Sequence, residues 1–283
     1  MRVEKTTRDP QFPKVLITGA SGFIGRGLLS HLRACRPIGT QFNSRPVASG
    51  TTLVTIDLTN EQRVAELFDT VKPVIVFHLA ALTSPGRNDK NPTLAIASHL
   101  SVTHNILKAL PDGAHLVYLS TDKVFDGTDP SPDESAQPAP CCLYGELKLE
   151  CENMIKLQVT RHHILRLPIV HACGEESSGS FIDSAIRDLR EGKRVQAFAN
   201  ISRCFVKRDE LIIFLGALVK NTSYGTYHIG SEMASYYERI KLLCDETQVR
   251  WRDQLVPTEG SVSPRLQNLS TAKVKQIFSR EFS

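Results

Sequence analysis

Tyr144 and Lys148 stand four residues apart in LYGELKLE, so any helix containing them carries both on one face. A phenol and an ammonium in that arrangement could share acid–base work. A free phenol has a pKa near 10, and a neighbouring ammonium would lower it by favouring the phenolate. The spacing alone carries little weight, because the pattern is short. It recurs at Tyr237 and Lys241 in SYYERIK, behind Ser235 in an S-x-x-E capping box, and that pair reads as structural. What distinguishes the first pair is its surroundings. The apolar run HLVYLS (His115–Ser120) leads to Thr121 at a strand's carboxyl end, where open parallel sheets place their ligands. The helix that starts near Tyr144 follows a long Pro- and Asp-rich loop and could flank the same crevice.

A second constellation lies near the amino terminus. VLITGASGFIG sets Gly19, Gly22 and Gly25 between a strand and a helix, with Ser21, Phe23 and Ile24 among them. One glycine permits the tight turn, one lets the backbone approach a pyrophosphate, and one lets helix and strand pack closely. The helix amino terminus then offers free N–H groups and a positive dipole end to the phosphates. An NAD site usually has an acid at the end of the next strand, yet no Asp or Glu occurs between Asp9 and Asp57. GTQFNSRP offers Asn43, Ser44 and Arg45 there instead, and Arg45 would pair with a 2′-phosphate. NADP(H) is the expected cofactor. Asp57 closes the third strand and could accept from the adenine amino group while Leu58 covers the ring. The same LTNEQ stretch could instead cap the next helix through Thr59 or Asn60.

These residues need a particular scaffold. Short apolar runs near 15–18, 37–42, 52–57, 73–81 and 115–120 alternate with amphipathic stretches at 23–34, 61–71 and roughly 93–109. That alternation predicts an α/β, doubly wound parallel Rossmann sheet covered on both faces. A strand in HHILRLPIV follows the Tyr144 helix, and DELIIFLGALVK with GTYHIG reads as a helix and strand returning to the sheet. The expected division is a cofactor domain over 1–168 and 205–230, and a smaller, discontinuous C-terminal substrate region over 169–204 and 231–283.

Composition narrows the classes. A chain of 283 residues with net charge +4 and dispersed basic residues gives no nucleic-acid footprint. Seven cysteines without C-x-x-C spacing suggest reduced thiols, with no zinc site. The polar opening MRVEKTTRDPQFPK lacks a signal-peptide core, and no run is of membrane-spanning length. A cytoplasmic protein without membrane partners is expected, and the sequence is compatible with a homodimer.

GASGFIG, DLTN, HLAA, YLSTDKVFDG, LYGELKLECE and ILRLPIV occur in the order and spacing of the extended short-chain dehydrogenase/reductases. STDKVFDG and YGELKLECE look most like the dTDP-4-dehydrorhamnose reductase subfamily, and the resemblance spans about residues 14–278. It implies a catalytic triad of Thr121, Tyr144 and Lys148, the last two also touching the cofactor. Leu79, Ala80 and Ala81 would pass close to the cofactor, and Thr83, Asp122 and Val124 would sit near the sugar. Arg203 would help hold the nucleotide phosphates, while His78 and His171 read as packed residues without a role. The implied activity is NADPH-dependent reduction of the 4-keto group of a nucleotide-activated deoxysugar. Two alternatives stand beside it: a nucleotide-sugar epimerase, and a non-catalytic NADP-binding subunit like the β subunit of methionine adenosyltransferase. Three departures bear on substrate. Ser101–Val102 replaces the usual N-V pair, Lys123 replaces an aromatic residue, and FANISRCFVKRDEL is only loosely like the usual substrate region.

Overall fold

Runs of consecutive apolar residues become strands buried on both faces. VLIT is the first, β1 (Val15–Thr18), buried at every position. The computed structural model describes residues 13–42, 52–83, 85–173, 180–261 and 266–278. After β1 come α1 (Phe23–His31), β2 (Ile38–Gln41), β3 (Thr52–Thr55), α2 (Glu61–Val71) and β4 (Ile75–His78). Two short helices, α3 (Pro85–Lys90) and α4 (Pro92–Ile96), lead through a π-type turn at Ala97–Ser101 into α5 (Val102–Ala109). β5 (His115–Thr121), α6 (Leu143–Gln158) and β6 (His162–Leu167) follow. The remainder comprises β7 (Ile169–His171), α7 (Phe181–Arg190), β8 (Val195–Phe198), β9 (Ser202–Arg203) and β10 (Phe205–Lys207). Then come α8 (Arg208–Ala217), β11 (Gly225–His228), β12 (Ala234–Ser235), α9 (Tyr236–Glu246), β13 (Leu255–Thr258), β14 (Leu266–Gln267) and α10 (Ala272–Ile277).

The main sheet runs β11-β6-β5-β4-β1-β2-β3, every pair parallel. This is the doubly wound α/β arrangement expected from the alternating pattern. Its order reverses between β1 and β4, so the carboxyl ends of β1, β4 and β5 open on one crevice. Leu28 and Leu29 of α1 pack on one face with Phe214 and Leu215 of α8. Val64 and Phe68 of α2, Ile106 of α5 and Ile155 of α6 pack on the other. A separate apolar cluster joins α7 and α9 to β8 and β13, through residues such as Ile186, Leu243, Val195 and Leu255.

Two elements differ from the sequence pattern, each for a local reason. The single helix expected at roughly 93–109 is broken at Ala97–Ser101. There the His99 ring hydrogen-bonds the Leu82 carbonyl (3.1 Å), and the His99 carbonyl receives the Cys151 thiol (3.5 Å). Tertiary partners that draw groups out of the helical ladder favour such a bulge. The strand expected across HHILRLPIV divides at Pro168, which has no N–H for a ladder. β6 stays in the main sheet, and β7 pairs with β10 instead.

Caps fall where the sequence offers them. Asn60 accepts from the Arg63 N–H (3.0 Å) at the start of α2. Ser235 and Glu238 form the expected reciprocal box on α9. Lys241 lies over the Trp251 ring at 5.5 Å. Among the described residues, no helix is long and apolar enough to cross a membrane.

Candidate active site

The glycine turn is shaped for close approach. Gly19 has φ +65°, and a Cβ there would sit 2.8 Å from the Ala80 backbone. A Cβ on Gly25 would sit 2.4 Å from the Gly19 carbonyl oxygen, so only glycine lets α1 start this near the turn. Gly22 is the N-cap of α1 and supplies no side-chain cap. The first-turn N–H groups around Phe23 and Ile24 therefore face outward without a side-chain acceptor, which suits a pyrophosphate. The Phe23 ring is covered by the Arg208 guanidinium at 5.1 Å.

β4 ends beside this turn. Leu79 and Ala80 donate their N–H groups to Thr18 Oγ1 (3.1 and 3.2 Å), which holds the loop against the glycines. Asp57 lies at the rim, where its carboxylate accepts from the Thr59 N–H (2.9 Å) and hydroxyl (2.7 Å). Leu58 is buried in the core, and its carbonyl accepts from Asn105. Asn43, Ser44 and Arg45 lie outside the described residues.

β5 delivers Thr121 and Asp122 to the crevice, both buried. Thr121 Oγ1 donates to Asp122 (3.1 Å) and accepts from the Lys123 N–H (3.2 Å), and it lies close enough to the Tyr144 phenol to oppose part of its rise in pKa. Tyr144 is thus brought to the carboxyl end of β5 by the first turn of α6. The resemblance brought Arg203 to the nucleotide phosphates; its side chain is buried, donates to the Ser202 carbonyl (2.8 Å) and acts electrostatically on Asp122. Val124 packs with Phe125 and Leu269 in a small apolar cluster, whereas Thr83 is exposed. Among the described residues, no group of three His, Cys, Asp or Glu could hold a metal.

The electrostatics correct one expectation. Lys148 does not pull the Tyr144 phenol down. Burial raises that phenol above its ordinary value, the Asp122 charge adds to the rise, and the Thr121 hydrogen bond opposes it. Lys148 is engaged elsewhere, donating to the Leu119 carbonyl (2.7 Å) with its ammonium 4.5 Å from the Tyr118 ring centre. Burial takes its own pKa down to about 8. Spacing of i and i+4 puts two side chains on one face, but their rotamers decide whether they meet. Tyr144 therefore keeps its proton at neutral pH, as an ordinary phenol does, and burial makes it a weaker acid rather than a stronger one.

His99, which the sequence reading passed over, sits edge-on to Tyr144 with ring centres 5.7 Å apart. Its pKa falls to about 4, through burial first and the nearby Lys148 charge second. No sequence signal marks it, because the π-type turn that aims it depends on contacts distant in sequence.

A doubly wound sheet with a glycine turn after β1 and a Tyr–Lys helix beside the end of β5 is the arrangement that the resemblance to the extended short-chain dehydrogenase/reductases implies. The chain belongs to the family described as RmlD substrate binding domain, whose model matches residues 13–279. It is 31% identical over 186 residues to the β subunit of methionine adenosyltransferase 2 from Xenopus laevis, covering 64% of this chain and 54% of the relative. The chain therefore spans about half the length of the curated relatives it matches first. Its fold is similar to dTDP-4-dehydrorhamnose reductase from Bacillus anthracis in complex with NADP, at 23% identity and TM-score 0.79 over 94% of this chain and 93% of that one. UDP-glucose 4-epimerase from Thermotoga maritima, solved with UDP-glucose, is similar at 20% identity and TM-score 0.79, over 93% and 91% of the two chains.

Proposed function

We propose that this chain is an NADPH-dependent reductase of the 4-keto group of a nucleotide-activated deoxysugar. The observation that supports the reading is the first turn of α6, which sets Tyr144 beside Thr121 and Asp122 at the end of β5, in the same parallel sheet whose β1 ends in the glycine turn. When bound, the nicotinamide supplies a hydride to the carbonyl carbon. Thr121 orients the carbonyl oxygen, and Tyr144 delivers a proton to it. Lys148, held on the Leu119 carbonyl, would turn a remaining ammonium donor to the nicotinamide ribose. Asp122 and Arg203 take the sugar and its nucleotide. In this reading residues 1–168 and 205–230 hold the cofactor, and 169–204 with 231–283 hold the sugar.

NADPH consumption with a panel of nucleotide-linked 4-keto-6-deoxysugars tests the reading. Tyr144→Phe is expected to lower kcat about 10²- to 10⁴-fold, the usual contribution of a positioned proton donor, while NADPH still binds. An unchanged kcat would remove Tyr144 from the reaction. The choice of NADP over NAD rests on Arg45 and on the missing acid before Asp57. Arg45→Ala should weaken NADPH binding about 10- to 100-fold and leave NADH binding unchanged, since a charged hydrogen bond is worth about 1.5–3 kcal/mol. Equal loss for both dinucleotides would refute that assignment.

The 31% identity to a methionine adenosyltransferase subunit supports a second reading, a non-catalytic NADP-binding subunit. Tight NADPH binding, no turnover with any sugar, and a partner enzyme co-purifying at fixed stoichiometry would select it.

A further inference from the structure

His78 lies at the centre of a buried chain of hydrogen bonds that joins the loop after β4 to the Tyr144 helix. The bonds run in one direction. Thr18 Oγ1 accepts from the Leu79 and Ala80 N–H groups, so its own hydroxyl donates to His78 Nδ1 (3.0 Å). His78 Nε2 then carries the proton and donates to Thr103 Oγ1 (3.0 Å). The Thr103 hydroxyl donates to Cys151 Sγ (3.3 Å), and the Cys151 thiol donates to the His99 carbonyl (3.5 Å). Every donor in the chain finds one acceptor, and only the neutral Nε2–H tautomer of His78 fits.

Each end of the chain touches the candidate site. At one end the Ala80 backbone abuts Gly19 of the glycine turn. At the other, Cys151 stands on the same inward face of α6 as Tyr144 and Lys148, and His99 holds the Leu82 carbonyl while packing edge-on to Tyr144. The groups facing the His78 ring are Tyr118 of β5, with ring centres 5.3 Å apart, and the charges of Lys148 on α6 and His99 on the π-type turn. Burial and those charges hold the imidazole neutral, with its pKa down to about 3.

We propose that His78 is a positioning residue that fixes the cofactor loop, residues 79–81, relative to the catalytic helix through Thr103 and Cys151. The inference rests on reading the glycine turn and that loop as the dinucleotide site. It assigns a function to a histidine that packing alone would leave without one.

Thr103→Val keeps the shape of the side chain and removes the hydroxyl from the middle of the chain, whereas Thr103→Ser keeps the hydroxyl. Equilibrium binding of NADPH, followed by its fluorescence, is the measurement. The Val variant is expected to bind about tenfold more weakly, as for one aligned buried hydrogen bond, and the Ser variant within about twofold of wild type. A Val variant that melts lower but binds NADPH as wild type does would overturn the proposal, because the chain would then be structural only. Wild type that binds neither NADPH nor NADH would overturn the dinucleotide site itself, and this inference with it. A second measurement stands if the Val variant does not fold. Imidazole ¹⁵N shifts of wild-type His78 at pH 7 to 8, where the folded state is fully stable, should report a protonated Nε2 and a bare Nδ1, and the opposite tautomer or a cation there overturns the proposal.

Discussion

Between pH 7 and pH 5 the protein is expected to lose stability at each of its buried neutral histidines, by up to about 2 kcal/mol for a ring that titrates alone. His78 and His115 have their pKa lowered to about 3, and His99, His163, His171 and His228 to about 4, with burial the leading cause in all six. In the unfolded chain each titrates near the ordinary 6.5. The unfolded state therefore binds more protons between about pH 6.5 and pH 4, and stability falls as pH falls through that window. Above pH 6.5 both states are neutral and the contribution is complete. These groups all act in one direction, against a total stability of about 5–15 kcal/mol for typical domains, while His115 and His163 share one proton and titrate as a pair. Asp122, whose carboxyl is raised by burial, works in the opposite direction, but it is one group.

The hydrogen bonds show why these rings resist protonation. His115 Nε2 and His163 Nδ1 lie 2.7 Å apart and share one proton between them, so a second would put two donors face to face. His228 Nε2 accepts from the buried Arg166 guanidinium (3.3 Å), and an imidazolium there would meet a cation. Urea titrations at pH 7, 6 and 5 measure the effect. The midpoint should fall steeply with an unchanged slope, because the surface exposed on unfolding stays the same. A free energy that is flat from pH 7 to pH 5 would show that these rings are not held neutral.

What could be read from the sequence was what is local. The glycine turn, the strand periods and the Ser235 cap depend on neighbours in the chain, and the structure forms them where the pattern put them. Pro168 could have been read as a break, since its missing N–H forbids one strand through HHILRLPIV, where a single strand was expected. The bulge at Ala97–Ser101 was not, because its causes, Leu82 and Cys151, lie far from it in sequence. For the same reason spacing suggested a Tyr144–Lys148 pair, while packing sent the lysine to the Leu119 carbonyl. Glu152 left a trace that could have been followed. It lies four residues after Lys148, on the inward face of α6 with Tyr144 and Cys151, and a carboxylate there needs a buried partner.

That partner is Arg166 of β6, and Glu152→Ala is expected to cost about 3–5 kcal/mol. The two side chains are 0% and 2% exposed. Glu152 Oε1 accepts from Ser120 Oγ (2.6 Å) and Arg166 Nε (3.0 Å), and Oε2 from Arg166 Nη2 (2.8 Å) and Lys156 Nζ (3.1 Å). Burial alone would raise the carboxyl, but the bonds and charges of Arg166, with Lys156 and Ser120, hold it below its ordinary value. Removing the carboxylate leaves a guanidinium in the core with the Phe125 ring and His228 beside it, and neither can neutralise it. Melting should drop by roughly 10 °C for a chain of this size. The loss belongs to the stranded charge rather than to the pair, so Glu152→Leu with Arg166→Met should recover most of it. If the double variant melts as low as the single one, the ion pair itself is what holds α6 to β5 and β6. The same helix face carries Tyr144, so the recovered double variant also reports whether the helix is placed by packing. Turnover that returns with stability means packing suffices, and stability without turnover means the Glu152 bonds to Ser120 and Arg166 set the position of Tyr144.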